Sequence, residues 1–236
     1  MRITYDEYVN NIPPSPKEEK KENPFALRLK DGTKVPGSTT IVGLLDKPYL
    51  VKWANKLGKQ GIDVTLYVEN TAKIGTLIHS LIEAVINRTP IEKPADCSDE
   101  DFEIAKQIVQ KNFMPWYTTY QVEPIQTEMS VVSEEYKYGG YIDFYCKCNG
   151  QYVIVDFKTS KEITEEQILQ VSSYAQLFKE NNLAVEKIII LNVKKDITQD
   201  LELLELPVTD IENYWELFMC FLNVYYAKKK LKQKIV

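Results

Sequence analysis

Two aspartates and a lysine share one short strand-like stretch, GGYIDFYCKCNGQYVIVDFKTS, residues 139–160. Asp143 lies in its first half, Asp156 in its second, and Lys158 follows two residues later. Asn149-Gly150 between them is the signal of a β-hairpin turn. Side chains alternate between the faces of a strand. Tyr141, Asp143, Tyr145 and Lys147 therefore take one face of the first strand, and Ile142, Phe144, Cys146 and Cys148 the other. In the second strand Asp156 and Lys158 share a face opposite Val155 and Phe157. Paired as a hairpin, the two acids approach each other on one side of the sheet. Two buried carboxylates so close repel, and must share a proton or bind a cation. An oxygen-rich, doubly acidic pocket favours Mg²⁺ or Mn²⁺. Lys158 then either neutralises the pair or acts on a metal-bound water. The competing readings are a buried Asp156–Lys158 ion pair and an exposed hairpin with ordinary surface charges.

Other residues can join this chemistry. The chain has a single histidine, His79, inside the apolar stretch GTLIHSLIE. Imidazole beside carboxylates suits Mn²⁺ as well as Mg²⁺, although a lone histidine on such a helix is also a common core residue. Glu83 falls one turn later on the same helical face and can hydrogen-bond around a site. Gln170 and Tyr174, in QVSSY, are four apart and share a face. Their amide and phenol could contact a phosphate, orient a water, or simply face solvent.

The elements that must position these groups follow from periodicity. FALRLKDGTKVPG carries a hairpin turn at Asp31-Gly32, and residues 11–24, rich in Pro, Lys and Glu, read as an exposed connector. STTIVGLLDKPYLVKWANKLGKQG reads as a short and a longer helix divided at Pro48. TAKIGTLIHSLIEAVINR is a helix with the buried stripe Ile74, Leu77, Ile78, Leu81, Ile82, Val85 and Ile86. SDEDFEIAKQIVQKNFMPWYTTY is a further helix capped by Ser98 or Asp99. Three strands follow, then a helix opened by a Thr164–Gln167 capping box. VEKIIILNVKK is a strand apolar on both faces, DLELLELP an edge strand, and the C-terminal stretch a long amphipathic helix. The order predicts one α/β domain over 1–236, a mixed central β-sheet flanked by helices with an N-terminal helical extension. Residues 1–35 form an N-terminal segment and hairpin, 36–120 the helical region with the His motif, 121–206 the core sheet, and 207–236 the last helix.

Composition limits the partners. Hydrophobic residues make up 44% and charged residues 27%, and the net charge is −5, which argues against a surface that binds nucleic acid throughout but leaves room for a local basic groove. Lysines cluster at Lys47, Lys52, Lys56 and Lys59 and again in AKKKLKQK. Each cluster is either a solvated helix face or a grip for a strand, with Trp53 stacking on it or sitting in the core. No apolar run is long enough to span a membrane, and the N-terminus lacks a signal core, so a cytoplasmic protein with reduced thiols is expected.

Four stretches, GTLIHSLIE, GGYIDF, IVDFKTS and QVSSY, together resemble the PD-(D/E)XK nuclease superfamily, and within it the RecB-like and phage-type exonuclease branch. Their order matches that branch's GT-x-x-H helix, G-x-x-D strand, D-x-K-T strand and Q-x-x-x-Y helix. VPGSTTIVGLLDKPYLVKWANKLG resembles the N-terminal region of its phage-type members. The resemblance implies a restriction-endonuclease-like core and a metal-dependent DNA exonuclease active in recombination, repair or mobile-element DNA processing. It implies His79, Asp143, Asp156 and the backbone carbonyl of Phe157 as ligands of Mg²⁺ or Mn²⁺. Lys158 would position or deprotonate the attacking water. Gln170, Tyr174, Glu83, Glu128 and Thr159 would contact DNA or steady the site. An endonuclease or junction resolvase on the same core, or a non-cleaving nucleic-acid-binding module, are the alternatives. Cys97, Cys146, Cys148 and Cys220 do not flank the core as the ligands of an iron–sulfur cluster do in some relatives, so no cluster is expected. No Walker A motif is present, so a helicase or recombination partner acting on the same single strands or duplex ends would be a separate protein.

Overall fold

The computed structural model describes residues 27–235, so the connector expected over 11–24 lies outside the described residues. Five strands form one sheet in the order of the chain: β1 (Glu123–Val132), β2 (Gly139–Cys148), β3 (Gln151–Lys158), β4 (Lys187–Asn192) and β5 (Glu202–Pro207). All neighbours are antiparallel except β3 and β4, which run parallel. The sheet is the expected mixed one. Asn149 (φ 49°) and Gly150 (φ 82°) make the β2–β3 turn in the left-handed region that an Asn-Gly pair tolerates. A parallel pair needs a long crossover, and the helix over Glu165–Glu180 supplies it.

Helices cover both faces. They are α1 (Ser38–Val42), α2 (Pro48–Lys59), α3 (Val64–Asn87), α4 (Asp99–Ile108), α5 (Met114–Thr119), α6 (Glu165–Glu180) and α7 (Glu212–Ile235). Asp63 caps α3 by accepting from the Thr65 and Leu66 N–H groups (2.8 and 3.1 Å), and Ser98 caps α4. At the start of α6 the Thr164 N–H donates to Gln167 Oε1 at 3.0 Å, the return half of the capping box. On one face the stripe of α3, with Ile108, Phe113 and Trp116, packs on Phe144, Cys146, Val153, Val155, Phe157, Ile189 and Leu191. On the other, Ile41, Leu169, Phe178 and Phe218 pack on Tyr145, Ile154, Ile188 and Ile190. β4 thus buries Ile188 and Ile190 one way and Ile189 and Leu191 the other, as a strand covered on both faces must.

Three expectations are corrected. The helix read over 98–120 is interrupted by a π-helical turn at Val109–Phe113. Pro115 follows it in the first turn of α5, and a proline has no N–H to return to the preceding turn. α3 begins at Val64, not at Thr71. Ile142 packs in the layer of Tyr145 rather than with Phe144. The cause lies at the same place as the acids. The regular β2–β3 pairing ends at Phe144↔Val155, and beyond it Asp143 Oδ2 accepts the Phe157 N–H at 2.8 Å. A side chain there replaces a backbone partner, and the simple alternation does not continue through it.

The α6 face approaches β2 closely at Gly140. A Cβ added there would stand 2.5 Å from Tyr174 Cε1 and 2.8 Å from Cδ1. Gly140→Ala is therefore expected to destabilise by about 1–3 kcal/mol, read as a lower urea midpoint at unchanged slope. Gly58→Ala, on a helix with open space around it, is the matched control and should leave the midpoint level or raise it. Equal effects at the two positions would contradict this packing.

Candidate active site

The acids stand in a row across three strands. The regular β2–β3 pairing ends at Phe144↔Val155, and just beyond it Asp143 and Asp156 stand close enough to act on each other by charge. On the other side, Thr127↔Phe144 and Met129↔Ile142 set Glu128 opposite Asp143, and Glu128 itself takes a left-handed φ of 47°. Asp156 is 1% exposed. Asp143 keeps some surface at the rim, but its carboxyl lies deep enough that dehydration dominates its titration. Burial pushes both carboxyls above the ordinary aspartate range. Lys158 counters this in each case, and Asp143 pushes Asp156 further up. Glu128 has much of its surface exposed, yet its carboxyl is partly dehydrated and close to Asp143 and Glu83. Together these push it up to about 7.

One ammonium answers this charge. Lys158 Nζ lies 2.5 Å from Asp156 Oδ2, the ion pair that the sequence left as a competing reading. Burial pulls the Lys158 ammonium down, but Asp156 and Asp143 outweigh it and hold the group above its ordinary value. The ion pair does not satisfy the acid. Lys158 takes Oδ2, while Oδ1 of Asp156 has no hydrogen-bond donor, an expensive state for a buried carboxylate.

Two helices close over the row. From α3, the His79 ring stands edge-on to Phe157, centroids 6.2 Å apart. Its burial, then the Lys158 cation, lower it to about 4, so its nitrogen is neutral and free to accept or ligate near neutral pH. Glu83, one turn on, is half-buried, accepts from Asn87 at 3.4 Å and is raised by burial. From α6, Gln170 Nε2 donates to Tyr174 OH at 2.5 Å. Both are buried, 8% and 2% exposed, which leaves them to support the acids from beneath and not to touch a strand directly. Tyr174 is raised well above its usual value by burial and by Asp156 and Asp143.

Thr159 locks the first and third motifs together. A Cβ on Gly75 would meet Thr159 Oγ1 at 2.7 Å and Lys195 Cε at 3.2 Å, so the glycine of GT-x-x-H is the seat of the threonine of D-x-K-T. Cys146 and Cys148 are buried in the α3 layer with their sulfurs 3.5 Å apart, as small core residues.

Three neighbours escaped the sequence reading. Lys195 is half-buried beside Gly75, forms no salt bridge among the described residues, and lies near enough to His79 to lower it. Asn192 is buried and accepts the Ser160 N–H at 2.9 Å, fixing the end of β3. Glu166 on α6 acts on Lys158 by charge. Loop lysines and helix-start glutamates are too common for their spacing to have singled these out. A strand-end asparagine at the β4 position opposite Lys158 was the one available signal.

The donor set suits a hard divalent cation: two dehydrated carboxylates on adjacent strands, one of them with a free oxygen, a third acid beside them and a neutral imidazole. With Lys158 against Asp156, no three His, Cys, Asp or Glu side chains among the described residues already stand together at ligand spacing. The fit is one of chemistry and placement.

No protein-family model matches the chain, and no curated protein matches its sequence. Among solved structures, a "Putative exonuclease" from Eubacterium rectale aligns over 66% of this chain at 12% identity, with a TM-score of 0.47. The match covers 65% of that protein, short of two thirds of its length. LHK-Exo in complex with dAMP aligns over 68% of this chain and 84% of its own, at 13% identity and a TM-score of 0.36. SSO0001 aligns over 90% and 84%, at 14% identity and a TM-score of 0.35. At these values the likeness is of backbone course alone, and the roles of residues rest on their own geometry.

The raised Glu128 has a measurable consequence. Its folded value of about 7 exceeds the ordinary 4.5, so between these the native state holds a proton that the unfolded chain releases, and stability falls as pH rises through that window. His79 works the opposite way, its lowered value costing stability as pH falls from 6.5 towards 4. In metal-free protein, Glu128→Gln should raise the melting temperature at about pH 8 and change it little at about pH 4.5, below which both states carry the proton. The same shift at both pH values would show that Glu128 is not held among the acids.

Proposed function

We propose that the chain is a metal-dependent nuclease, a DNA exonuclease that hydrolyses phosphodiester bonds. One observation carries this: Asp143 and Asp156 are both dehydrated and push on each other by charge just past the end of the regular β2–β3 pairing, and Lys158 is the one ammonium against them. A sheet gains nothing in stability from two buried acids answered by one ammonium. A hydrolytic site uses both.

Asp143, Asp156 and His79 would hold Mg²⁺ or Mn²⁺, with the Phe157 carbonyl beside them and Glu128 and Glu83 at the rim. When bound, such an ion lowers the pKa of a water and offsets charge on the phosphate. The side chains do the rest. Lys158 is held as a cation by the acids, so it serves as a donor that orients the nucleophile and steadies charge on the phosphate, and not as the base in this arrangement. The Phe157 N–H fixes the Asp143 carboxylate in place. Gln170 and Tyr174 hold the floor of the site, and Thr159 fixes β3 against α3. The burial that dehydrates Asp143 and Asp156 strengthens each of these electrostatic contributions.

The test is cleavage by the full chain, with Mg²⁺ and with Mn²⁺, of end-labelled linear, end-blocked and closed circular DNA. The reading expects loss of free-ended DNA, survival of closed circles, and a fall of roughly 100-fold or more for Asp156→Ala and for Lys158→Ala. Cuts in closed circles would make it an endonuclease or resolvase. Full activity in both variants would overturn the site, and binding without cutting would make the chain a binding module.

A further inference from the structure

Between α1 and the His79 part of α3 the chain leaves the body of the protein. None of residues 43–74 is fully buried, and α2 has no fully buried residue. Trp53 is half-buried and not in the core, meeting Tyr67 edge-on at 6.0 Å. Around this pair Tyr49, Leu50, Val51, Ile62, Leu66, Tyr67 and Val68 stay exposed. Both ends of the projection are fastened beside the acid row. At one end Lys47 Nζ pairs with Glu166 Oε2 at 2.5 Å, and Glu166 acts on Lys158. At the other, Gly75 is wedged against Thr159, the residue after Lys158, and Lys195. The projection is an arm whose two feet flank the site.

Its charge is opposite to that of the protein. The chain carries a net −5, yet from Lys47 to Ile62 there are four lysines and no acid. Tyr49, Lys52, Lys56 and Lys59 follow one another at helical spacing, so one exposed stripe of α2 presents an aromatic ring and three ammonium groups with no carboxylate between them. An acid-free lysine stripe complements a polyanion, and exposed rings beside it give bases a surface to stack on.

We propose that this arm guides single-stranded DNA into the site, with Lys52, Lys56 and Lys59 on successive phosphates and Tyr49 against a base. The inference rests on the nuclease reading for its substrate, and it adds the element that leads a strand to the acids.

The test reads strand binding without cleavage: fluorescence anisotropy of a labelled oligothymidylate with the full chain in EDTA, over a range of KCl concentrations. The triple variant Lys52→Gln/Lys56→Gln/Lys59→Gln should bind roughly tenfold or more weakly, and its salt slope should fall by about 2, three phosphates at ~0.7 each. Tyr49→Ala should weaken binding at unchanged slope. The control Lys147→Gln/Lys179→Gln, at the β2–β3 turn and the far end of α6, should keep the wild-type slope. A triple variant with wild-type affinity and slope overturns the proposal, as does a wild-type chain that binds no strand. So does a wild-type dimer that Val51→Asp converts to monomer while strand binding persists, which would assign the arm to a second copy. Binding through the arm by a protein that cuts nothing would remove the nuclease reading alone. Cutting by a protein whose triple variant binds normally would remove the arm alone.

Discussion

Two dehydrated carboxylates share one ammonium in the middle of a sheet, and the rest of the structure is arranged around that imbalance. Asp143 takes the Phe157 N–H where a ladder partner would otherwise bond, and the regular pairing of β2 with β3 stops one residue earlier. Lys158 reaches Asp156 Oδ2 but leaves Oδ1 without a donor. Removing two charges from water costs more than one partner of this kind returns, so the site is a local loss that the two hydrophobic layers must offset.

Those layers also deliver the other groups. α3 brings His79 and Glu83 over the acids because Gly75 lets it settle on Thr159. α6 brings Tyr174 beneath them because Gly140 leaves room for its ring. The glycines of the helix and strand motifs are thus packing requirements of the site. The same contacts anchor the arm, since Thr159 follows Lys158 in the chain and Glu166 acts on it by charge.

Much of this was legible in the sequence. Asn149-Gly150 gave the turn, the apolar run 188–191 gave the covered strand, and Thr164 with Gln167 gave the start of α6. What escaped depends on departures from regularity. Ile142 changes layer because alternation fails at Asp143. Glu128, named from the resemblance alone, takes its place through strand register and a left-handed φ that no pattern announces. Gln170 and Tyr174 read equally well as a polar surface face, and only packing shows them buried. The π-helical turn before Pro115 is a tertiary accommodation of a proline whose breaking power the surrounding apolar period concealed. Lys195 reaches the site from a loop, where spacing carries no information.

The central claim is that the acid pair is kept for a divalent cation and not for the stability of the sheet. Thermal unfolding of the wild type and Asp156→Asn, each in EDTA and in Mn²⁺, tests it most directly. The substitution leaves one buried acid facing one ammonium, so in EDTA it should melt higher than the wild type. Mn²⁺ should raise the wild type by mass action and leave the variant unmoved. A wild type indifferent to Mn²⁺, together with an Asp156→Asn protein that melts lower in EDTA, would make the Asp156–Lys158 pair a structural ion pair and contradict the account.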